Sequence, residues 1–208
     1  MLSEPIATGC SAYFKVIADM TQPASKNAMK KNALKIDGLE HASKTKPTVT
    51  PDGRALGTLI HGVQVRYPVS HIDARGSLTE LFRTDWLEDL APIKHSYLAT
   101  IRPGVVKGWN IHLEHDDRLF TLLGSLKIVL YDGREHSPTR GLINELFFGM
   151  ERRGFVYIPR HIYHAVQNIG LVDAAYVGFP SEPYKHQDPD KFTLPADTDV
   201  IPYRFTRE

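Results

Sequence analysis

Beyond residue 57 the chain consists of short runs of β-branched and aromatic residues, separated by Gly, Pro and Asp. Runs of this kind are typical of the strands of a β-sandwich or barrel. They predict ten strands, at residues 59–67, 78–83, 96–101, 105–112, 119–123, 126–131, 145–148, 155–158, 164–167 and 174–179. Only residues 84–90 fit a short helix. The pattern therefore predicts an all-β domain, an antiparallel barrel with alternating inward side chains and a core hairpin that turns at Gly124 and Ser125.

The N-terminal part of the chain has a different composition. Residues 21–54 are rich in Lys, Ala, Asn, Thr and Pro and contain few large apolar side chains, which is typical of segments that cannot bury a core. A short helix at residues 11–20 and a turn that begins at Pro51 are the local structures that the pattern predicts there. We therefore expect a flexible, poorly ordered N-terminal arm at residues 1–55 and a barrel domain at residues 56–208.

Charge and composition exclude several classes of function. The 208 residues carry 25 Lys and Arg against 24 Asp and Glu, a formal charge of +1, so no overall field draws the protein to nucleic acid or to an anionic membrane. The single cysteine, Cys10, excludes an internal disulfide framework and a cysteine-based zinc site. The chain shows no basic and hydrophobic leader and no window long enough to span a membrane. We expect a cytoplasmic protein whose partners include neither nucleic acid nor a membrane.

Two stretches carry the candidate chemistry, one at residues 104–124 and one at residues 154–168. They resemble the paired motifs of the cupin superfamily, in which a glycine is followed by a His-x-His pair, an acid and a second glycine, and later by a Pro, a His and an Asn. The corresponding residues here are Asn110 in place of the first histidine, then His112, Asp117, Pro159, His164 and Asn168. Alternation places Asn110 and His112 on the same inward face of one strand. The resemblance implies a jelly-roll β-barrel, also called a double-stranded β-helix.

The segments around these motifs resemble one family within this superfamily. They follow the order of the landmarks of the dTDP-4-dehydrorhamnose 3,5-epimerase family: residues 73–81, Lys107 with Gly108, residues 132–141 and the Pro-rich tail at residues 180–203. The similarity extends from residue 58 to residue 205. The chain resembles a divergent member of this family, which implies an isomerase of nucleotide sugars in deoxysugar or polysaccharide biosynthesis.

The resemblance implies proton transfer at C3, C5 or both, beside the C4 ketone of a nucleotide-linked 4-keto-6-deoxyhexose. A base removes a proton, an enolate forms, and an acid returns a proton to the opposite face, so no metal or other cofactor is expected. In the family the base is a histidine that an Asp of the C-terminal segment orients, and a Tyr opposes it. The resemblance assigns these two roles to Asp197 and Tyr184, with Tyr176 as the alternative acid. The substrate-binding candidates are Arg75, Glu80, Lys107, Arg118 and Arg134, of which Arg75 and Lys107 would face the diphosphate.

The base position departs from the family pattern because Asn110 occupies it. A carboxamide cannot take up a proton at neutral pH. His112 and His164 are the candidate replacements, since imidazole titrates near neutral pH. The remaining histidines near the motifs are predicted to be surface or rim residues: His115, His136 and His161.

Structural roles compete with these assignments. Tyr184 and Asp197 lie in a Pro-rich segment, where a packing tyrosine and a capping aspartate are equally good interpretations. Arg75 has Glu80 as a candidate ion-pair partner, and an exposed pair contributes little to stability. His112 is equally consistent with a hydrogen-bonded histidine that lines the barrel without reacting.

Three hypotheses about function follow. The first is an epimerase whose base chemistry has been relocated. The second is a metal-dependent cupin enzyme that uses His112, Asp117 and His164, because two imidazoles and one carboxylate form a facial triad. The third is a catalytically inactive protein that binds sugar nucleotides, which Asn110 favours. The family resemblance also implies a homodimer, in which an N-terminal strand and Arg75 serve the neighbouring subunit.

Overall fold

The computed structural model describes residues 36–49, 51, 57–86 and 91–206. The chain divides into two units, residues 1–54 and residues 55–208. In the first unit the described residues contain one short 3-10 helix, Leu39–His41. The expected helix at residues 11–20 lies outside the described residues, as does Cys10. The candidate chemistry lies in the second unit.

The second unit consists almost entirely of strands. Among the described residues these are β1 Gln64–Arg66, β2 Ser70–Asp73, β3 Gly76–Thr79, β4 Tyr97–Ile101, β5 Val106–Ile111, β6 Asp117–Leu123, β7 Leu126–Tyr131, β8 Ile143–Phe148, β9 Phe155–Ile158, β10 Tyr163–Asn168, β11 Ala174–Gly178 and β12 Phe192–Thr193. The helix predicted at residues 84–90 is a 3-10 helix at Thr84–Trp86, and residues 87–90 lie outside the described part. Across the described ranges, no helix combines the length and the apolar composition needed to cross a membrane.

The strands form two five-stranded sheets and a separate hairpin, and every named strand pair is antiparallel. One sheet has the order β1-β9-β6-β11-β4, the other has the order β12-β5-β10-β7-β8, and β2 pairs with β3. The prediction of an all-β jelly-roll fold is confirmed. The pattern missed β2 and β12, which are short and largely exposed and therefore carry little hydrophobic alternation.

Gly124 connects the two sheets and does not form the predicted hairpin. β6 belongs to one sheet and β7 belongs to the other, so the two strands that flank the turn do not pair with each other. Gly124 has a φ of 75°, and a Cβ at this position would lie 2.7 Å from the Cβ of Ala174. Only glycine fits this turn without a shift of the backbone.

Apolar side chains pack in three layers. The layer between the sheets includes Leu119, Leu126, Ile128, Leu130 and Val156. Outside β6 and β9 lies a second cluster, formed by Leu81, Phe82, Trp86, Phe120 and Phe155. Outside β5 and β7 lies a third, formed by Trp109, Val129, Ile201, Tyr203 and Phe205. β7 and β9 are thus buried on both faces, which explains why they form continuous apolar runs instead of alternating ones.

Candidate active site

A cavity of about 1190 Å³ opens on the inner side of the barrel. Its walls come from β4, β5, β6, β10 and β11 and from residues 180–195, which we call the C-terminal segment. A cavity of this size accommodates a ligand larger than a typical drug molecule. The lining residues with groups that transfer protons or bind charged ligands include Lys107, Asn110, His112, His115, Asp117, His164, Tyr176, Tyr184, Asp190 and Lys191.

Asp117, the first residue of β6, is an almost fully buried carboxylate in the wall of the cavity. Its Oδ2 atom lies 3.3 Å from His112 Nε2 and 3.3 Å from His164 Nε2. Burial acts to raise the pKa of the Asp117 carboxyl, but the two imidazoles hold that pKa far below its usual range. Asp117 is therefore ionised. The hypothesis of a metal-dependent cupin enzyme groups the same three residues.

His112 and His164 are also held at their second ring nitrogen. Nδ1 of His112 lies 2.5 Å from the main-chain carbonyl oxygen of Asp190, and Nδ1 of His164 lies 3.2 Å from that of Ile162. A carbonyl oxygen only accepts hydrogen bonds, so each Nδ1 carries a proton and each Nε2 is directed at Asp117. Neither ring leaves a nitrogen open to a substrate in the cavity.

His115 presents a different arrangement. Its Nδ1 donates to Oδ2 of Asp190 at 2.8 Å, and this carboxylate also accepts from the backbone N–H groups of Leu113 and Glu114. Its Nε2 lies 3.8 Å from Asp117 Oδ1, beyond hydrogen-bond distance. Burial, and after it the neighbouring charge of His112, lowers the pKa of His115. His115 is thus a neutral imidazole that a carboxylate orients and whose Nε2 lone pair is free.

The sequence pattern does not predict that His115 pairs with Asp190. His115 is expected at the surface or rim, whereas its side chain is 15% exposed and lines the cavity. The resemblance places Asp197 beside the base histidine, but the carboxylate found beside His115 is that of Asp190. Asp197 is exposed and does not line the cavity. The sequence feature that could have directed attention to Asp190 is the pair of acids, Asp188 and Asp190, on either side of Pro189.

Asn110 on β5 lines the cavity directly beside His164 of β10, as alternation predicts. Tyr176 on β11 is 8% exposed, and burial raises its pKa to about 12, so its hydroxyl stays protonated. Tyr184 is 52% exposed, and its ring lies 5.0 Å from that of His186. Tyr176 is therefore the more deeply placed proton donor, although the resemblance assigns Tyr184 first.

Comparison with known proteins identifies the relationship. The family model described as dTDP-4-dehydrorhamnose 3,5-epimerase matches residues 57–200. The chain belongs to this family.

Two curated proteins and one solved structure are similar to this chain. Agl13 of Haloferax volcanii, a probable low-salt glycan biosynthesis epimerase, is 35% identical over 139 residues, covering 66% of this chain and 89% of Agl13. SpsL of Bacillus subtilis, a spore coat polysaccharide biosynthesis protein, is 31% identical over 153 residues, covering 72% of this chain and 99% of SpsL. A solved double mutant of ChmJ, a 3'-monoepimerase from Streptomyces bikiniensis in complex with dTDP, has a TM-score of 0.65 at 22% identity and covers 72% of this chain and 77% of its own. This last likeness concerns the fold alone.

Two residues of the epimerase landmarks lie on or near the exposed hairpin and not in the cavity. Arg75, in the turn between β2 and β3, pairs with Asp73 at 2.6 Å. Glu80 pairs with Arg83 at 3.0 Å, so the ion pair considered between Arg75 and Glu80 does not form. Neither residue lines the cavity of its own chain.

Arg118 and Arg134 have structural contacts instead of the substrate contacts that the epimerase resemblance implies. Arg118 faces away from the cavity because neighbours along a strand alternate, and its guanidinium donates to the carbonyl oxygens of Phe179 and Ala91. Arg134 donates to the buried carboxylate of Asp132 at 2.9 Å. Of the substrate-binding candidates, Lys107 alone lines the cavity.

Proposed function

We propose that this chain is an epimerase that binds a nucleotide-linked 4-keto-6-deoxyhexose in the cavity and inverts it at C3, C5 or both. Family membership and the similarity to Agl13, named as a probable glycan biosynthesis epimerase, support this class of reaction. The observation that carries the proposal is the pair of His115 and Asp190 inside the cavity. The pair supplies a histidine and an orienting carboxylate although the usual base position holds Asn110.

In this proposal His115 is the base. Its Nδ1–H group donates to Asp190, which leaves the lone pair of Nε2 for the proton on the carbon beside the ketone. Asp190 also stabilises the imidazolium that forms when the proton is taken up. His112 and His164 do not fit this role, because both nitrogens of each ring already face an acceptor.

Asn110 and Tyr176 complete the proposed mechanism. When the proton leaves, negative charge develops on the ketone oxygen, and the carboxamide N–H of Asn110 is a suitable donor to that oxyanion. Tyr176 is protonated and lies on β11, a different wall of the cavity from His115. It returns a proton to the face of the sugar opposite the base, as inversion requires.

Lys107 and Lys191 are the proposed ligands of the diphosphate. Both line the cavity, and both are exposed. Within the described residues neither has an ion-pair partner. An ammonium group without a carboxylate partner is a good recognition element for a phosphate oxygen.

A homodimer is part of the proposal. The hairpin of β2 and β3 leaves three large apolar side chains open to solvent, at exposures of 71% for Val69, 79% for Ile72 and 63% for Leu78. An apolar surface of this kind is typical of a protein interface. A second subunit seated on the hairpin would also give Arg75 a route to the neighbouring cavity, which it lacks within its own chain.

The test is the uptake of solvent deuterium at C3 and C5 of a panel of dTDP-, UDP- and GDP-linked 4-keto-6-deoxyhexoses, followed by NMR. We expect exchange by the wild type with one sugar of the panel or more. His115→Gln should reduce the rate by about 10²- to 10⁴-fold, which is the range for the loss of a general base. The matched control is His136→Gln, which changes an exposed histidine outside the cavity and should leave the rate unchanged.

Two results would overturn different parts of this proposal. If the wild type exchanges no sugar of the panel, the enzyme assignment is wrong and an inactive sugar-nucleotide-binding protein remains. If the wild type exchanges but His115→Gln does so at the same rate, the reaction stands and His115 is not its base.

A further inference from the structure

Two tyrosines, Tyr97 and Tyr176, face the cavity from neighbouring strands. Tyr97 is the first residue of β4, Tyr176 lies on β11, and both line the cavity. In the antiparallel register Tyr97 is opposite Gly178 and Tyr176 is opposite Ala99, so the two tyrosines are diagonal neighbours on one face of the sheet. Their ring centroids lie 6.3 Å apart, and the ring planes meet at 76°. The proposed acid, Tyr176, therefore packs edge to face against a second phenol.

Gly178 provides the space that the phenol head of Tyr97 occupies. A Cβ at position 178 would lie 2.2 Å from Cζ and 2.6 Å from Oη of Tyr97. The phenol thus lies over the main chain of β11, where the side chain of any other residue would be. The φ of Gly178 is outside the left-handed region, so the close approach of Tyr97 is the feature that requires glycine here. The hydroxyl of Tyr97 is held against the strand that carries Tyr176.

The two phenols affect each other's ionisation in opposite directions. Burial, and after it the charge of Asp117, raises the pKa of Tyr176 to about 12, and the hydroxyl of Tyr97 opposes that rise as a hydrogen-bond partner. The pKa of Tyr97 is raised by burial first, then by the charge of Asp117, and also by its interaction with Tyr176. These effects are those of a hydroxyl on Tyr97 that donates to the oxygen of Tyr176.

The proposed reaction creates a charge on Tyr176. As the O–H bond of Tyr176 breaks and a C–H bond forms at C3 or C5, the electron pair of the O–H bond stays on the phenol oxygen and the ketone is restored. Tyr176 is 8% exposed, and the carboxylate of Asp117 already places a negative charge nearby. A phenolate in this position needs a hydrogen-bond donor from the protein.

We propose that Tyr97 is a positioning residue for the proton donor, whose hydroxyl donates to the oxygen of Tyr176, directs the Tyr176 proton into the cavity and stabilises the phenolate that follows. A hydroxyl has one proton and two lone pairs, so an oxygen that accepts from Tyr97 still has its own proton to give to the sugar. The inference rests on the proposed epimerase function and deepens it, because it concerns the acid that returns the proton.

The first test measures the phenolate of Tyr176 without substrate. Difluorotyrosine at position 176 of the full chain ionises at a lower pH than tyrosine, and fluorine NMR follows its titration. Tyr97→Phe should raise the pKa of this residue by about one unit or more, because a hydrogen bond to a charged group is lost. The matched control is Tyr163→Phe, which removes a hydroxyl outside the cavity and should leave the pKa unchanged. Both variants retain the charge of Asp117 and the ring of His95, which lies 6.1 Å from that of Tyr97.

The second test compares inversion with exchange in the deuterium-uptake assay. Both processes need His115 to remove a proton, but only inversion needs a proton from the opposite face. If His115 returns a deuteron to the original face, the sugar exchanges without inversion. Tyr97→Phe should therefore lower the rate of inversion about tenfold relative to the rate of exchange. Gly178→Ala should have the same effect on a chain that retains Tyr97, because the new Cβ displaces the phenol.

Two results would overturn the inference about Tyr97. One is an unchanged pKa at position 176 in Tyr97→Phe, and the other is a fall of inversion and exchange by the same factor, which a change in packing alone would cause. A wild type that exchanges no sugar of the panel would instead overturn the epimerase function, and the role of Tyr97 in that reaction with it. The titration needs no substrate, so the two failures are distinguishable.

Discussion

The same Asp-x-Arg ion pair occurs twice in this chain, once exposed and once buried. Asp73 Oδ2 lies 2.6 Å from Arg75 Nη2 in the β2–β3 hairpin, and Asp132 Oδ2 lies 2.9 Å from Arg134 Nη2 after β7. The side chain of Asp73 is 53% exposed, whereas that of Asp132 is 0% exposed. A comparison of the two pairs therefore measures how much burial adds to the contribution of such an ion pair to the stability of the protein.

Asp132→Asn should destabilise the protein strongly. The substitution removes the charge from a buried carboxylate that also accepts from two hydroxyls, those of Ser137 at 2.5 Å and Thr139 at 2.6 Å. Loss of one partner of a buried ion pair costs about 3–5 kcal/mol. Because the side chain of Arg134 is 24% exposed, water compensates part of the loss, and we expect about 3 kcal/mol. For a domain of this size that lowers the melting temperature by about 6–12 °C.

Asp73→Asn is the control, and no change in melting temperature is expected because the side chains of both Asp73 and Arg75 are solvated. A second check is the dependence on pH. Burial acts to raise the pKa of Asp132, but the bonds from Arg134, Ser137 and Thr139 outweigh it and hold the folded-state pKa well below its usual range. Its contribution to stability is therefore complete above the unfolded pKa of about 3.9 and is lost as the pH falls toward the folded pKa.

Differential scanning calorimetry at about pH 7 and about pH 2.5 measures both effects. The gap between wild type and Asp132→Asn should be largest near neutral pH and should shrink in acid. The reasoning is refuted if Asp132→Asn lowers the melting temperature no more than Asp73→Asn does, or if the gap is the same at both pH values.

Three further outcomes are expected. Lys191→Gln should raise KM for the sugar nucleotide about tenfold in the deuterium-uptake assay with little change in kcat, because binding of the diphosphate is the same in the ground and transition states; a fall in kcat alone would contradict this role. Ile72→Asp should convert a dimer to a monomer in sedimentation velocity, since Ile72 is 79% exposed on the apolar hairpin, and an unchanged dimer would place the interface elsewhere. Gly108→Ala should lower the melting temperature measured by circular dichroism. Gly108 has a φ of 125°, and a Cβ there would lie 2.7 Å from the carbonyl oxygen of His164. A melting curve identical to that of the wild type would contradict this account.

The features that could be predicted from the sequence depend on local periodicity. Strand alternation predicted an antiparallel barrel, and the resemblance of two motifs to those of the cupin superfamily implied the jelly-roll fold and grouped His112, Asp117 and His164 as one candidate set. The position of Asn110 follows from the same alternation, because it lies two residues before His112 on β5. These predictions needed no knowledge of how distant segments meet.

The features that could not be predicted depend on contacts between segments without periodicity. His115 and Asp190 are 75 residues apart, and the C-terminal segment that carries Asp190 contains only the two-residue strand β12. The role of Arg118 was missed for a related reason, since its partners Ala91 and Phe179 lie outside the strands. Alternation shows only that Arg118 faces away from Asp117, and it does not show what covers that face.

The contribution of the C-terminal segment to the cavity has a consequence during protein synthesis. Strands β1 to β11 precede this segment, and a chain begins to fold from its N-terminal part while translation continues. A nascent barrel therefore holds His115 before Asp190 has been added. In the proposed mechanism such a chain lacks both the carboxylate that orients the base and the part of the cavity wall that residues 180–195 form. Proton abstraction therefore begins only after the segment has left the ribosome and packed against the barrel.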